Sequence, residues 1–353
     1  MKALDNRMAT FTENGYLSKL ATILLIGALM GSFEITGAQS IGICYGRTAT
    51  IDGLPSEPEV VELYKSINVQ RMRIFDANQN ALDAFRGSGI EVTVGVTNDE
   101  LEKMADPTAA NNWVRDNIVT YGSDVKFRYI SVGNEVFPDT KTGSYDRAAQ
   151  VLPAMRNIYN AIRSVGLQDQ IKVSTAVYPN ILENSYVRPS QGIFNTTAAQ
   201  YMRPIISFLV ETGAPLLANV YPYFTKKFNG QIDLSYVLFT STAVNQDGYQ
   251  NLFDAMVDTL YFAVEKAGGP SVKIVILESG WPSAGGEWAT KENSQTYNQN
   301  LIRHVAKGTP KKPGPIETYV FAMFNENLKE TEEERSFGLF YPNKTPVYAI
   351  SFN

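Results

Sequence analysis

Eight short apolar runs separated by longer segments of helical period predict an α/β fold, a single-domain parallel (β/α)₈ or TIM barrel. Two further observations favour closure over an open sheet or two domains. No linker or low-complexity stretch divides the chain, and the turn after the first run, Tyr45-Gly46-Arg47-Thr48, is not the Gly-rich turn of a nucleotide-binding sheet.

The runs rich in β-branched and aromatic residues fall at 41–45, 69–75, 91–96, 127–132, 171–177, 215–221, 272–277 and 317–324. Between them, helical spacing covers 57–66, 80–86, 109–121, 146–164, 198–211, 249–266 and 291–307. The two longest stretches read as irregular, 178–197 and 224–248, follow the fifth and sixth runs. That puts both on the face where barrels build their active sites, and both are expected to wall a cleft.

Of 353 residues, 44% are hydrophobic and 19% charged, enough for a large core and too little charge for disorder. A formal net charge of -5 and a pI near 5.2 leave no surplus of cations for phosphates, so nucleic acid is not an expected partner and a neutral polymer fits better. The single Cys44 excludes an intrachain disulfide framework and a cysteine metal cluster. The apolar stretch 20–30 after Lys19, followed by Thr36-Gly37-Ala38, reads as the core and cleavage region of a signal peptide spanning 1–38, with Met8 an alternative start. An uncleaved anchor is the other reading. The domain proper would then be 39–353, exported and free of the membrane after cleavage, and the C-terminus lacks the apolar tail of a lipid-anchor signal. Asn195-Thr196-Thr197 is a glycosylation sequon in an expected surface loop; Asn343-Lys344-Thr345, followed by Pro346, is a weaker one.

Polar residues at the C-terminal ends of barrel strands converge on one opening. Two runs end in an acid there: the fourth reaches Asn134-Glu135 and the seventh Glu278. A lone glutamate at a strand end is commonly solvated or ion-paired, but two facing one opening suggest use. Glycoside cleavage needs one carboxyl held protonated for the leaving oxygen and a second, ionised, to attack the anomeric carbon or activate water. The only histidine, His304, lies in an expected outer helix, which leaves little basis for a Ser-His-Asp triad or a histidine metal site. The amide of Asn134 could bind a sugar hydroxyl, and Trp281 could offer a face for a pyranose ring or be an ordinary rim aromatic.

At these residues the chain resembles the plant endo-β-1,3-glucanases of glycoside hydrolase family 17 over nearly the whole of its length after the leader. The carrying motifs are Val132-Gly133-Asn134-Glu135-Val136, Glu278-Ser279-Gly280-Trp281-Pro282-Ser283, Phe321-Ala322-Met323-Phe324-Asn325-Glu326-Asn327-Leu328-Lys329 and Glu334-Arg335-Ser336. The resemblance implies a retaining double displacement with Glu278 as nucleophile and Glu135 as acid/base, their carboxyls about 5 Å apart. It implies contacts to substrate or nucleophile from Phe75, Asn134, Tyr221, Trp281, Phe324, Glu326, Lys329 and Glu334. The substrate implied is β-1,3-glucan, with no cofactor or metal, in a monomer. A wall-remodelling or defence role is implied with it, and the acidic pI matches extracellular more than vacuolar members. A non-catalytic glucan-binding protein and a hydrolase of mixed-linkage 1,3-1,4-β-glucan stand as alternatives. Two departures stand out: Phe75 where the family usually has tyrosine, which removes a hydroxyl contact, and Leu277 where it usually has serine, which could make the barrel interior more apolar. Glu330, Glu332 and Glu333 read as a solvated acidic loop.

Overall fold

The computed structural model describes residues 40–47, 53–136, 145–183 and 186–352; the expected leader and its cleavage point lie outside them. Eight parallel strands close into a barrel. They are β1 (Ile41–Tyr45), β2 (Arg71–Ile74), β3 (Glu91–Val96), β4 (Lys126–Asn134), β5 (Lys172–Val177), β6 (Leu216–Asn219), β7 (Ile274–Ser279) and β8 (Thr318–Val320). β8 pairs with both β7 and β1, so no edge is left open. Each strand is nearly all buried, as expected where one face packs on the barrel interior and the other on helices.

The helices are α1 (Glu57–Ser66), α2 (Gln79–Phe85), α3 (Leu101–Met104), α4 (Pro107–Asn117), α5 (Tyr145–Ser164), α6 (Thr196–Thr212), α7 (Pro222–Phe228), α8 (Leu234–Val237), α9 (Leu252–Lys266), α10 (Lys291–His304) and α11 (Glu332–Arg335). Short polar side chains start many of them: Asn78, Asp106, Asn195, Asn251 and Thr290 each accept a backbone N–H of the first turn.

The described residues of 178–197 are more ordered than their composition suggests. They hold a two-residue hairpin, Leu182–Glu183 against Ile193–Phe194, and fold onto α9, where Lys266 Nζ donates to the Ser190 and Gly192 carbonyls. The second stretch begins in α7 and continues into α8. The sequon residue Asn195 sits not in a loop but at the start of α6, its Oδ1 accepting from Ala198 N and its Nδ2 donating to the Asn180 carbonyl.

Two strands carry one residue more than their neighbours near the top of the barrel. Between Ser131 and Asn134, β4 uses three residues where β5 uses two; between Ile276 and Glu278, β7 uses two where β6 uses one. Such bulges bend a strand and re-aim its side chains. The opposite end is sealed by ion pairs: Arg128 reaches Glu317 at 2.6 Å and Arg71 reaches Glu91 at 2.8 Å, with Tyr129 and Tyr319 also donating to Glu317. Among the described residues no helix is long and apolar enough to cross a membrane.

Candidate active site

Glu135 and Glu278 line one cleft of about 410 Å³ at the C-terminal mouth of the barrel, together with Tyr178, Tyr221, Phe224, Phe228, Phe321, Lys329, Glu334 and Phe337. Glu278 is the penultimate residue of β7 and is only 6% exposed. The guanidinium of Arg73, on β2, donates to its Oε1, and the Tyr221 hydroxyl donates to its Oε2 at 2.7 Å. Burial and the Glu278 charge keep that tyrosine's pKa well above the usual range, so it stays a proton donor.

Glu135 follows the bulge in β4 and holds φ at +54°, a left-handed conformation that disfavours a side-chain-bearing residue by about 1–2 kcal/mol. Gly133, two residues earlier, stands at φ +73°. Asn219, at the end of β6, donates through Nδ2 to Glu135 Oε1 at 2.6 Å and to Asn134 Oδ1 at 3.1 Å. Arg73 Nη2 donates to the same Asn134 oxygen at 2.8 Å. Arg73, Asn134 and Asn219 therefore form a continuous hydrogen-bonded bridge between the two carboxyls. The Asn134 amide nitrogen has no partner among the described residues and remains a donor for a ligand hydroxyl.

The two acids differ in surroundings. Burial, reinforced by the negative charge of Glu278, pushes the Glu135 pKa from 4.5 up to about 7. Glu278 instead faces a cation and a hydroxyl donor. Different surroundings for two carboxyls in one cleft are what an acid and a nucleophile require.

Several expected residues are elsewhere. Trp281 is fully buried, its ring against Tyr223 and Tyr297 and its N–H on the Trp288 carbonyl at 2.8 Å, so it has no free face for a sugar. Phe324 is likewise 2% exposed and packs edge-on against Tyr45. Phe75 is half-buried with the Arg73 guanidinium 4.2 Å over its ring, and it is not among the residues lining the cleft. Glu333 is buried, not solvated: its carboxylate accepts from the Tyr223 hydroxyl and pairs with Lys227, whereas Glu330 and Glu332 are exposed. Leu277 is fully buried and acts through its carbonyl, which accepts from Arg73 at 3.3 Å and from the Cys44 thiol.

Lys329 and Glu334 do line the cleft. Glu326 lies just behind it, 3.6 Å from Lys329 Nζ, buried against Gly46, with its pKa raised mainly by that burial. His304 serves α10 structurally, its Nε2 2.7 Å from Asp254 and its ring on Phe239. Arg73 and Asn219 fall within the second and sixth apolar runs, where a charged residue inside an apolar run and an amide near a strand end were the available signals.

A larger cavity, about 650 Å³, opens at the N-terminal end of the barrel. Its only acid, Glu317, is taken by Arg128, and Lys172 donates to the Gln168 carbonyl, so it lacks the paired carboxyls of the upper cleft. Among the described residues no group of three or more His, Cys, Asp or Glu is placed to hold a metal ion.

The family model described as Glycosyl hydrolases family 17 matches residues 41–352. A glucan endo-1,3-beta-glucosidase of Vitis vinifera is 54% identical over 339 residues, covering 94% of this chain and 97% of that protein. An acidic isoform of the same description from Nicotiana tabacum is 51% identical over 351 residues, 98% of this chain and 100% of that one. Among solved structures, a beta-1,3-glucanase and allergen of Cryptomeria japonica pollen is 46% identical with a TM-score of 0.85, covering 89% of this chain and 99% of that one.

Proposed function

The chain belongs to glycosyl hydrolases family 17, and from that premise we propose that it is a retaining endo-hydrolase of (1,3)-β-D-glucan. The observation that carries the proposal is the asymmetric pair in one cleft: Glu135, its pKa raised to about 7, and Glu278, held by Arg73 and Tyr221. In the first step, one Glu278 oxygen attacks the anomeric carbon while the Glu135 proton passes to the departing glycosidic oxygen. The result is a glucosyl ester on Glu278 and a released chain end. In the second step, Glu135, now a carboxylate, takes a proton from water as that water attacks the same carbon and restores free Glu278. Arg73 opposes the returning negative charge, and Asn219 accompanies Glu135 through both protonation states.

Relatives at about half identity include acidic and basic vacuolar isoforms of glucan endo-1,3-beta-glucosidases, so compartment is not set by the barrel. The leader 1–38 supports export to the cell wall or extracellular space, with glycosylation at Asn195; N-terminal sequencing and mass measurement of the secreted protein test both. For the chemistry, Glu278→Gln and Glu135→Gln are each expected to lower laminarin hydrolysis by orders of magnitude while circular dichroism stays native. Near wild-type release of reducing sugar by either variant would exclude the assignment. Anomeric proton NMR of the first product separates retention from inversion, and parallel digestion of mixed-linkage glucan tests the linkage.

A further inference from the structure

Phe228 is 83% exposed, the highest value among the exposed large hydrophobic side chains of the described residues, and the only aromatic ring among them. Single exposed apolar residues are ordinary on protein surfaces. This one is not isolated: it lines the cleft that holds Glu135 and Glu278. It also ends a row of aromatics leading out from the reacting centre. Tyr221 donates to Glu278, Phe224 packs edge-on to Tyr221 with centroids 5.5 Å apart, and Phe228 follows one helical turn later on the same side of α7. One turn advances about 5.4 Å, comparable to one glucosyl unit.

The helix that carries Phe228 is anchored through three of its side chains, Tyr223, Lys226 and Lys227. Tyr223 and Lys227 both bind the buried Glu333 carboxylate. Lys226 donates to the Gly230 and Ile232 carbonyls at 2.6 and 2.7 Å and lies 4.4 Å over the Trp288 ring. An apolar ring is thus held in water by its support, forgoing the gain of burial unless a ligand covers it. A β-linked glucosyl ring has its hydroxyls at the rim and C–H bonds on its faces, a surface suited to an aromatic plane.

We propose that Phe228 is the stacking platform of an outer subsite, which holds a glucosyl unit beyond those flanking the scissile bond and so favours long chains over short ones. This rests on the glucanase reading of the same cleft. The test compares wild type, Phe228→Ala and Phe228→Tyr on laminarin and on a series of progressively shorter laminari-oligosaccharides. Phe228→Ala is expected to lose roughly five- to tenfold in kcat/KM on laminarin, mostly through KM, corresponding to about 1–1.4 kcal/mol. That loss shrinks as the substrate shortens, and Phe228→Tyr recovers it. An equal loss at every chain length, or none on laminarin, overturns the platform. Should wild type hydrolyse none of these, the glucanase reading fails on its own, and affinity electrophoresis in laminarin gels decides the platform. Retardation of wild type that is lost in Phe228→Ala supports it; equal retardation, or none in either protein, overturns it.

Discussion

The Glu135 carboxyl is half-buried in a cleft shared with a second carboxyl, and both circumstances disfavour its charge. Against them act the Asn219 amide, which donates to it, and the Arg73 and Lys329 charges. If Glu135 must be protonated to assist departure, kcat/KM on laminarin falls above about pH 7, the value to which its pKa is raised. Removing the amide that favours its carboxylate should carry that limb upward. Asn219→Ala is therefore expected to move the alkaline limb to higher pH while lowering the plateau several-fold, since the same amide also holds Asn134. A pH profile of kcat/KM on both proteins decides it; an unmoved limb would mean that some other group sets it.

At the scale of elements, strand and helix order followed from periodicity, because alternation of apolar runs with helical segments is local information. The strand ends were less accessible. The extra residues before Asn134 and Glu278 are defined by pairing with β5 and β6, partners that lie distant in sequence. Glu135 and Glu278, which line one cleft, could be singled out because acids ending apolar strands stand out in one dimension. Trp281 was misread for the converse reason: its neighbours Tyr223 and Tyr297 come from other parts of the chain, and only the packed barrel shows that they enclose it. Glu333 was misread likewise, since its partners Tyr223 and Lys227 lie on α7. The β4 bulge also makes a distinct demand on Gly133, at φ +73°, where an added Cβ would meet the Val136 side chain at 2.9 Å. Gly133→Ala is expected to lose about 1–3 kcal/mol of stability and to mis-aim Glu135, read as a lower urea midpoint together with a lower kcat. An unchanged midpoint would show that the bulge relaxes without strain.

Across the whole molecule, the two barrel ends treat charge differently. At the base, Glu317 and Glu91 are matched by Arg128 and Arg71. At the mouth, half-buried Glu135 and buried Glu326 have raised pKa values, each mainly through desolvation and partly through the charge of Glu278. A carboxyl whose folded pKa exceeds its unfolded one binds more protons when folded, so its contribution to stability is fully present below the unfolded value and is lost as pH rises through the folded one. For Glu135 that window runs from 4.5 to about 7. Above it the folded state carries a burden on the order of 3 kcal/mol that a neutral amide of the same shape does not. Glu135→Gln should therefore melt at the same temperature as wild type near the bottom of the window and several degrees higher above the top of it, though nearly inactive. Glu326→Gln should show the same direction. Calorimetric melting temperatures across this range test the inference, and a variant no more stable above neutrality than wild type would refute it. The expected trade follows from the proposed function: a proton donor for a glycosidic oxygen has to be kept where its charge is unwelcome, and that placement weakens the fold at the pH where the charge appears.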